Sequence, residues 1–183
     1  MVLPEIPDFP EAQVLNIRTL PHQPSIPFAI LLDDPADLPQ LHPIAAQYGS
    51  SLLLPECWQN IFPEAGILIS SAISGGTFIQ RLQDAASAMP GRCWLLIEPI
   101  CVHFALPCFT GQGICAERPV CDDPFFSDSL YCYYTHSCQP DSGTVTLFDT
   151  PKSISAKMAL AQKCGFRGFV QHPSMCQIAD ICS

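Results

Sequence analysis

The chain predicts an α/β fold built on a mainly parallel sheet, and three observations carry that prediction. Apolar bursts without polar alternation recur at residues 28–32, 51–54 and 93–97, as in strands buried on both faces. Stretches of helical periodicity alternate with them. The last such stretch begins Thr150-Pro151 and ends at Gly165, a favoured opening and a favoured stop for a helix. Alternation of strand and helix is the mark of a parallel sheet. With 183 residues, 48% hydrophobic and 14% charged, the chain is long enough and apolar enough for one cored domain. It is short for a closed eight-stranded α/β barrel, which takes about 250 residues.

Residues 1–27 form the first unit, an extended arm. Pro4, Pro7 and Pro10 repeat at intervals of three, as do Pro21, Pro24 and Pro27, which favours polyproline-like backbone. Between the two sets, residues 14–20 suit a short edge strand. Residues 28–183 form the second unit. A buried strand over 28–32 ends at Asp33-Asp34. Leu38, Leu41 and Ala45 then mark a helical face that Pro39 and Pro43 should shorten. Residues 51–54 make the next strand and lead into Pro55-Glu56-Cys57-Trp58. Residues 66–69 are apolar but run into a Ser/Gly loop, so they do not enter the strand count. Phe78, Leu82, Ala85 and Met89 line one helix face, with Ser74 or Thr77 as cap and Pro90-Gly91 as stop. The strand over 93–97 runs into Glu98-Pro99. An insert over about 102–143 is rich in Cys, aromatics, Gly and Pro. A strand at 144–148, a helix with Ile154, Met158 and Ala161 on one face, and a last strand at 168–171 complete the order.

Composition excludes several functions. Eight Lys and Arg stand against 17 Asp and Glu, a formal charge of −9. The three lysines, Lys152, Lys157 and Lys163, fall in one stretch, and no basic stripe exists to displace counterions. Nucleic acid is therefore not an expected partner, and neither is a membrane: no apolar run approaches the ~20 residues of a span. The acidic, proline-spaced start lacks the order of a secretory signal, so the sequence as given reads as cytoplasmic. Eleven cysteines without such a signal are expected to be reduced thiols.

The stretch from Asp149 through Ser153, Ile154, Lys157, Gly165 and Gly168 resembles the end of glycoside hydrolase family 18. That family includes chitinases and spore-germination and other cell-wall hydrolases. Its pattern there is a strand ending in an acidic pair, a Ser-Ile-x-x-Lys helix, and Gly-hydrophobic-Gly before the eighth barrel strand. Residues 28–34, 45–58, 73–90 and 93–104 resemble the fifth strand, the run into the sixth, the next helix and the seventh strand. The insert occupies the place of the family's variable one. The resemblance implies a partial (half) TIM barrel, an N-acetylglucosamine-type glycan of chitin or peptidoglycan kind as ligand, and relatives that are often secreted or spore-associated.

The family's catalytic signature is Asp-x-x-Asp-x-Asp-x-Glu, whose Glu is the acid. None of Glu5, Glu11, Glu56, Glu64, Glu98 and Glu117 has Asp two residues before it, so the acid is missing and the chain is expected not to hydrolyse. Glu56 and Cys57 stand where active members carry Tyr-Asp, and His172 stands near the sugar-floor Trp. Trp58, His172 and Glu56 are the residues expected to touch a glycan.

Two alternatives come from the residues themselves. Glu56 and Glu98 both follow strands, and two carboxylates on one rim could act as acid and base on a glycoside. Cys132-x-x-x-His136-x-Cys138 is the nearest approach to a zinc set in a chain without Cys-x-x-Cys, and would make the insert a metal-stabilised interaction module. No cofactor is expected. A half-barrel of about four or five parallel strands would leave two open edges, to be covered by the arm, by a second copy as a homodimer, or by a partner chain.

Overall fold

The structure is a computed structural model that describes residues 8–31, 35–73, 75–106, 114–115, 119, 123–139 and 142–172. Six parallel strands close on themselves: β1 (Glu11–Leu15), β2 (Phe28–Ile30), β3 (Leu52–Pro55), β4 (Gly66–Ser70), β5 (Cys93–Ile97) and β11 (Phe169–Gln171), in the order β1-β11-β5-β4-β3-β2. Each pairs with a neighbour on both sides. Gln13 stands opposite Phe28, and Ala12 opposite Val170, so β1 is the strand that joins the two ends. The open edges expected of a half-barrel are absent, because the arm supplies β1 and because residues 66–70 form a full strand. The arm's strand runs over Glu11–Leu15, and one turn of 3-10 helix occupies Ile17–Thr19 within the expected 14–20.

Alternation along each strand separates inside from outside. Ala12, Ala29, Leu53, Leu68, Trp94, Leu96 and Val170 fill the lumen, with Val14 and Leu31 packed against them. A six-stranded lumen is narrower than an eight-stranded one, which suits alanine at positions 12 and 29 beside the larger Leu and Trp side chains. A methyl on Gly168 would collide with the Pro10 carbonyl oxygen and the Trp94 ring, and one on Gly66 with Leu53. The outward residues of β4 and β5 (Ile67, Ile69, Cys93, Leu95, Ile97) lie under α2 (Phe78–Ala88) and α3 (Pro151–Lys163). Those of β2 and β3 (Phe28, Ile30, Leu52, Leu54) lie under α1 (Leu38–Tyr48). Burial on both sides is why these strands read as continuous apolar runs.

The helix α1 runs its full 11 residues with Pro43 inside it. Pro39 sits in the first turn, where a missing N–H costs nothing, and the buried contacts of Leu41 and Ala45 hold the rest. At the start of α3 a capping box forms: Ser153 N–H donates to Thr150 Oγ1 at 3.2 Å and Thr150 N–H to Ser153 Oγ at 2.8 Å. Gly165 follows with φ +85°, the left-handed backbone of a helix stop.

The insert is an antiparallel sheet in the order β7-β6-β10-β9-β8, from β6 (Cys101–Leu106), β7 (Ile114–Cys115), β8 (Phe125–Ser127), β9 (Cys132–Gln139) and β10 (Ser142–Phe148). It leaves the barrel after β5 and returns into α3. Ser74, Asp33, Asp34, Glu117, Cys108 and Cys121 lie outside the described residues. No helix among the described residues is long and apolar enough to cross a membrane.

Candidate functional site

In a parallel barrel the carboxyl ends of all strands share one rim, and the residues that leave it line the mouth. On β5, Trp94 and Leu96 point inward, so Glu98 continues the inward series. On β11, Val170 points inward opposite Leu96, and His172 continues that series beside Glu98. The His172 N–H donates to the Ile97 carbonyl at 3.1 Å, which extends the β5–β11 ladder to the mouth. Glu98 and His172 thus leave adjacent strands side by side, both half-buried.

Glu56 is placed differently. It follows Leu54, which points outward, and its carboxylate meets Arg81 of α2 at 2.9 Å. Both side chains are about two-fifths exposed (38% and 39%). Gln59, Thr77, Gln80 and Asp84 surround the pair on an open groove floored by Ile73, Ala85 and Met89. That groove runs along α2, outside the barrel wall. Trp58 is half-buried against the cluster of Phe28, Leu41 and Phe62 under α1. The structure therefore sets the backbones of Glu98 and His172 side by side at the rim and sends Glu56 and Trp58 to the outer surface.

Cys132, His136 and Cys138 all lie on β9. At roughly 3.3 Å per residue, about 13 Å separates Cys132 from His136 and about 20 Å separates it from Cys138. Ligands of one zinc sit within about 2.3 Å of it, so these three cannot share an ion. Among the described residues no group of three or more His, Cys, Asp or Glu could hold a metal. Instead, Phe125, Tyr134 and His136 form a ring cluster, with the Phe125 centroid 5.4 Å from each of the others.

Beneath the mouth lies a network whose members the sequence pattern contains but does not interpret. Lys157 and Asp149 form an ion pair at 2.8 Å with both side chains fully buried. Asp149 also accepts from Ser153 Oγ at 2.7 Å and from the Ile100 N–H at 3.1 Å. Lys157 Nζ donates to the Ser71 carbonyl at 3.1 Å and sits 5.7 Å from the centre of the Phe78 ring. Ser71, at the end of β4, in turn accepts the Glu98 N–H at 2.9 Å. Ser71 and Arg81 are the two partners that sequence reasoning missed. A serine pair closing an apolar strand was the visible signal for Ser71; nothing local marked Arg81 as the partner of Glu56.

No protein-family model matches this chain, and neither does any curated protein. Among solved structures it is similar to the spore cortex-lytic enzyme SleL of Bacillus megaterium QM B1551, with 13% identity over 79% of this chain and a TM-score of 0.48. It is also similar to SleL of Bacillus cereus, with 14% identity over 79% and a TM-score of 0.49. The match covers 44% of each of those enzymes, so this chain spans less than half their length.

Proposed function

We propose that this chain is a non-catalytic relative of the glycan-hydrolysing barrels, and that it binds an N-acetylglucosamine-containing glycan at the barrel mouth. The sugar class comes from the family 18 resemblance of residues 149–168. The observation that supports binding over hydrolysis is the fate of the two candidate carboxylates. The two-carboxylate route considered for Glu56 and Glu98 needs the pair about 5–9.5 Å apart flanking one bond. Glu56 is engaged by Arg81 outside the barrel wall, which leaves Glu98 as the single inward carboxylate among the described rim residues. A lone carboxylate beside an imidazole can accept and donate hydrogen bonds to sugar hydroxyl and acetamido groups. It lacks a partner for the two-carboxylate route, and the chain has no Asp-x-x-Asp-x-Asp-x-Glu to supply the acid of a substrate-assisted one.

The test is a melting curve in millimolar chito-oligosaccharide or peptidoglycan fragment, run beside a chromogenic N-acetylglucosaminide assay. At ten times Kd, binding to the folded state adds about 1.4 kcal/mol, a rise of roughly 3–6 °C for a domain of this size. No rise with any such glycan removes the reading. Turnover that disappears in Glu98→Gln would replace it with an enzymatic one.

A further inference from the structure

The Lys157–Asp149 pair is fully buried, and burying it is costly. Removing two charges from water costs several kcal/mol each, and apolar replacements of such pairs are often neutral or stabilising. Stability alone does not account for it; what the pair touches does. Ser71 is 2% exposed, and every polar group it owns is engaged. Its N–H donates to Leu96 O at 2.9 Å, and its carbonyl accepts Lys157 Nζ. Its hydroxyl accepts the Glu98 N–H at 2.9 Å and donates to the Glu98 carbonyl at 3.4 Å. Asp149 treats Ile100 in the same way. The Asp149 N–H donates to the Ile100 carbonyl at 2.8 Å, and its carboxylate accepts the Ile100 N–H.

The segment 98–100 is therefore held at both backbone polar groups of its first residue and both of its last. Pro99 between them has a ring-fixed φ. Lys157 ties the two brackets together, because its ammonium bonds Asp149 on one side and Ser71 on the other. Functional groups held to within about half an ångström need this kind of support from behind.

We propose that the Lys157–Asp149 pair is a positioning device that acts through Ser71 to fix Glu98 at the barrel mouth. Lys157, Asp149 and Ser71 are positioning residues, and none of them faces the ligand. The ligand half of this proposal rests on the glycan-binding reading, whereas the positional half does not.

The experiment follows amide hydrogen exchange residue by residue in the full chain, together with affinity for triacetylchitotriose. Three variants serve: Ser71→Ala, Glu98→Gln, and Lys157→Met combined with Asp149→Asn. In the last, Asn Oδ1 can still accept the Ile100 N–H while its Nδ2–H donates to Ser153 Oγ, whose own proton goes to the Thr150 carbonyl, so the fold is retained while the charge pair is gone. In Ser71→Ala the Glu98 amide should exchange at least tenfold faster, with Leu95 in the barrel unchanged. In the charge-pair variant the Glu98 amide should also speed up, although neither substitution touches it. Affinity should fall at least tenfold in Ser71→Ala, in the charge-pair variant and in Glu98→Gln. Wild-type exchange at Glu98 in the charge-pair variant overturns the positioning role, even if Glu98→Gln still abolishes binding. The expected exchange changes without any wild-type affinity for the sugar would leave positioning intact and overturn the glycan reading.

Discussion

Cys93 and Cys132 are 2% and 0% exposed, and burial pushes both thiols up to about 11. Arg92 pulls back on Cys93 while Glu56 adds to the rise, and Lys157 and Asp149 play the same two parts at Cys132. Since the thiolate is the reactive form, iodoacetamide at pH 8 should label exposed Cys57 and Cys138 in the native chain. It should spare Cys93 and Cys132 until urea is added. Peptide mass spectrometry checks this, and rapid native labelling of Cys93 would contradict the burial argument. The same shifts give a pH dependence. The folded state holds these two protons more tightly than the unfolded chain, whose thiols titrate near 9.0. The unfolded chain therefore loses protons first, and stability should fall as pH rises from about 9 to about 11, read as a falling urea midpoint. At this scale the family-like pattern also acquires physical meaning. Ile154 packs in the core, Ser153 closes the capping box, Gly165 turns the chain, and Gly168 leaves room for Trp94 and the Pro10 carbonyl.

Among the elements, α3 carries more than its own packing. Through Lys157 it grips the end of β10 at Asp149 and the end of β4 at Ser71, so it anchors the inserted sheet to the barrel. Lys157→Met alone strands a buried carboxylate and should cost about 3–5 kcal/mol. Joining it to Asp149→Asn should recover most of that loss, and a urea-denaturation double-mutant cycle measures the difference. Equal losses in the single and double variants would refute the coupling. Most of the elements were legible before the structure. The strands at 28–32, 51–54, 93–97 and 168–171 are all barrel strands, and α2, α3 and the Thr150 cap fall where period and turn chemistry put them. What was not legible depends on partners distant in sequence. Residues 66–70 carry the same apolar signal as β5, but the Ser/Gly loop after them masks it; pairing with β3 and β5 makes them a strand. At Pro43 tertiary packing overrides propensity. At the candidate site, the rim positions of Glu56 and Glu98 were readable from strand ends. The divergence of their side chains was not, because it depends on which face Leu54 and Leu96 present.

At the scale of the whole molecule, closure turns on β1. A chain of this length cannot form eight strands with their helices, and an open parallel sheet of five would offer unpaired backbone along two strands. The five residues Glu11–Leu15 remove both edges, pairing with β11 on one side and β2 on the other. They also bring Ala12 into the lumen and Phe9 against Phe169, at 5.8 Å between ring centres. The inserted sheet keeps its own ends, with Phe125 and Phe126 exposed on β8 (53% and 39%), but those do not open the barrel. The intact chain should therefore run as a monomer in size exclusion with light scattering, whereas a chain beginning at Asn16 should associate. The freed edges of β2 and β11 would pair with other copies, and the lumen around Trp94 would admit water. The truncated chain should also lose its cooperative urea transition, because all six strands share one lumen and no subset of them buries it. A truncated chain that stays monomeric with the intact midpoint would mean that the other five strands can close without β1. The arm would then be an accessory to the barrel and not a stave of it.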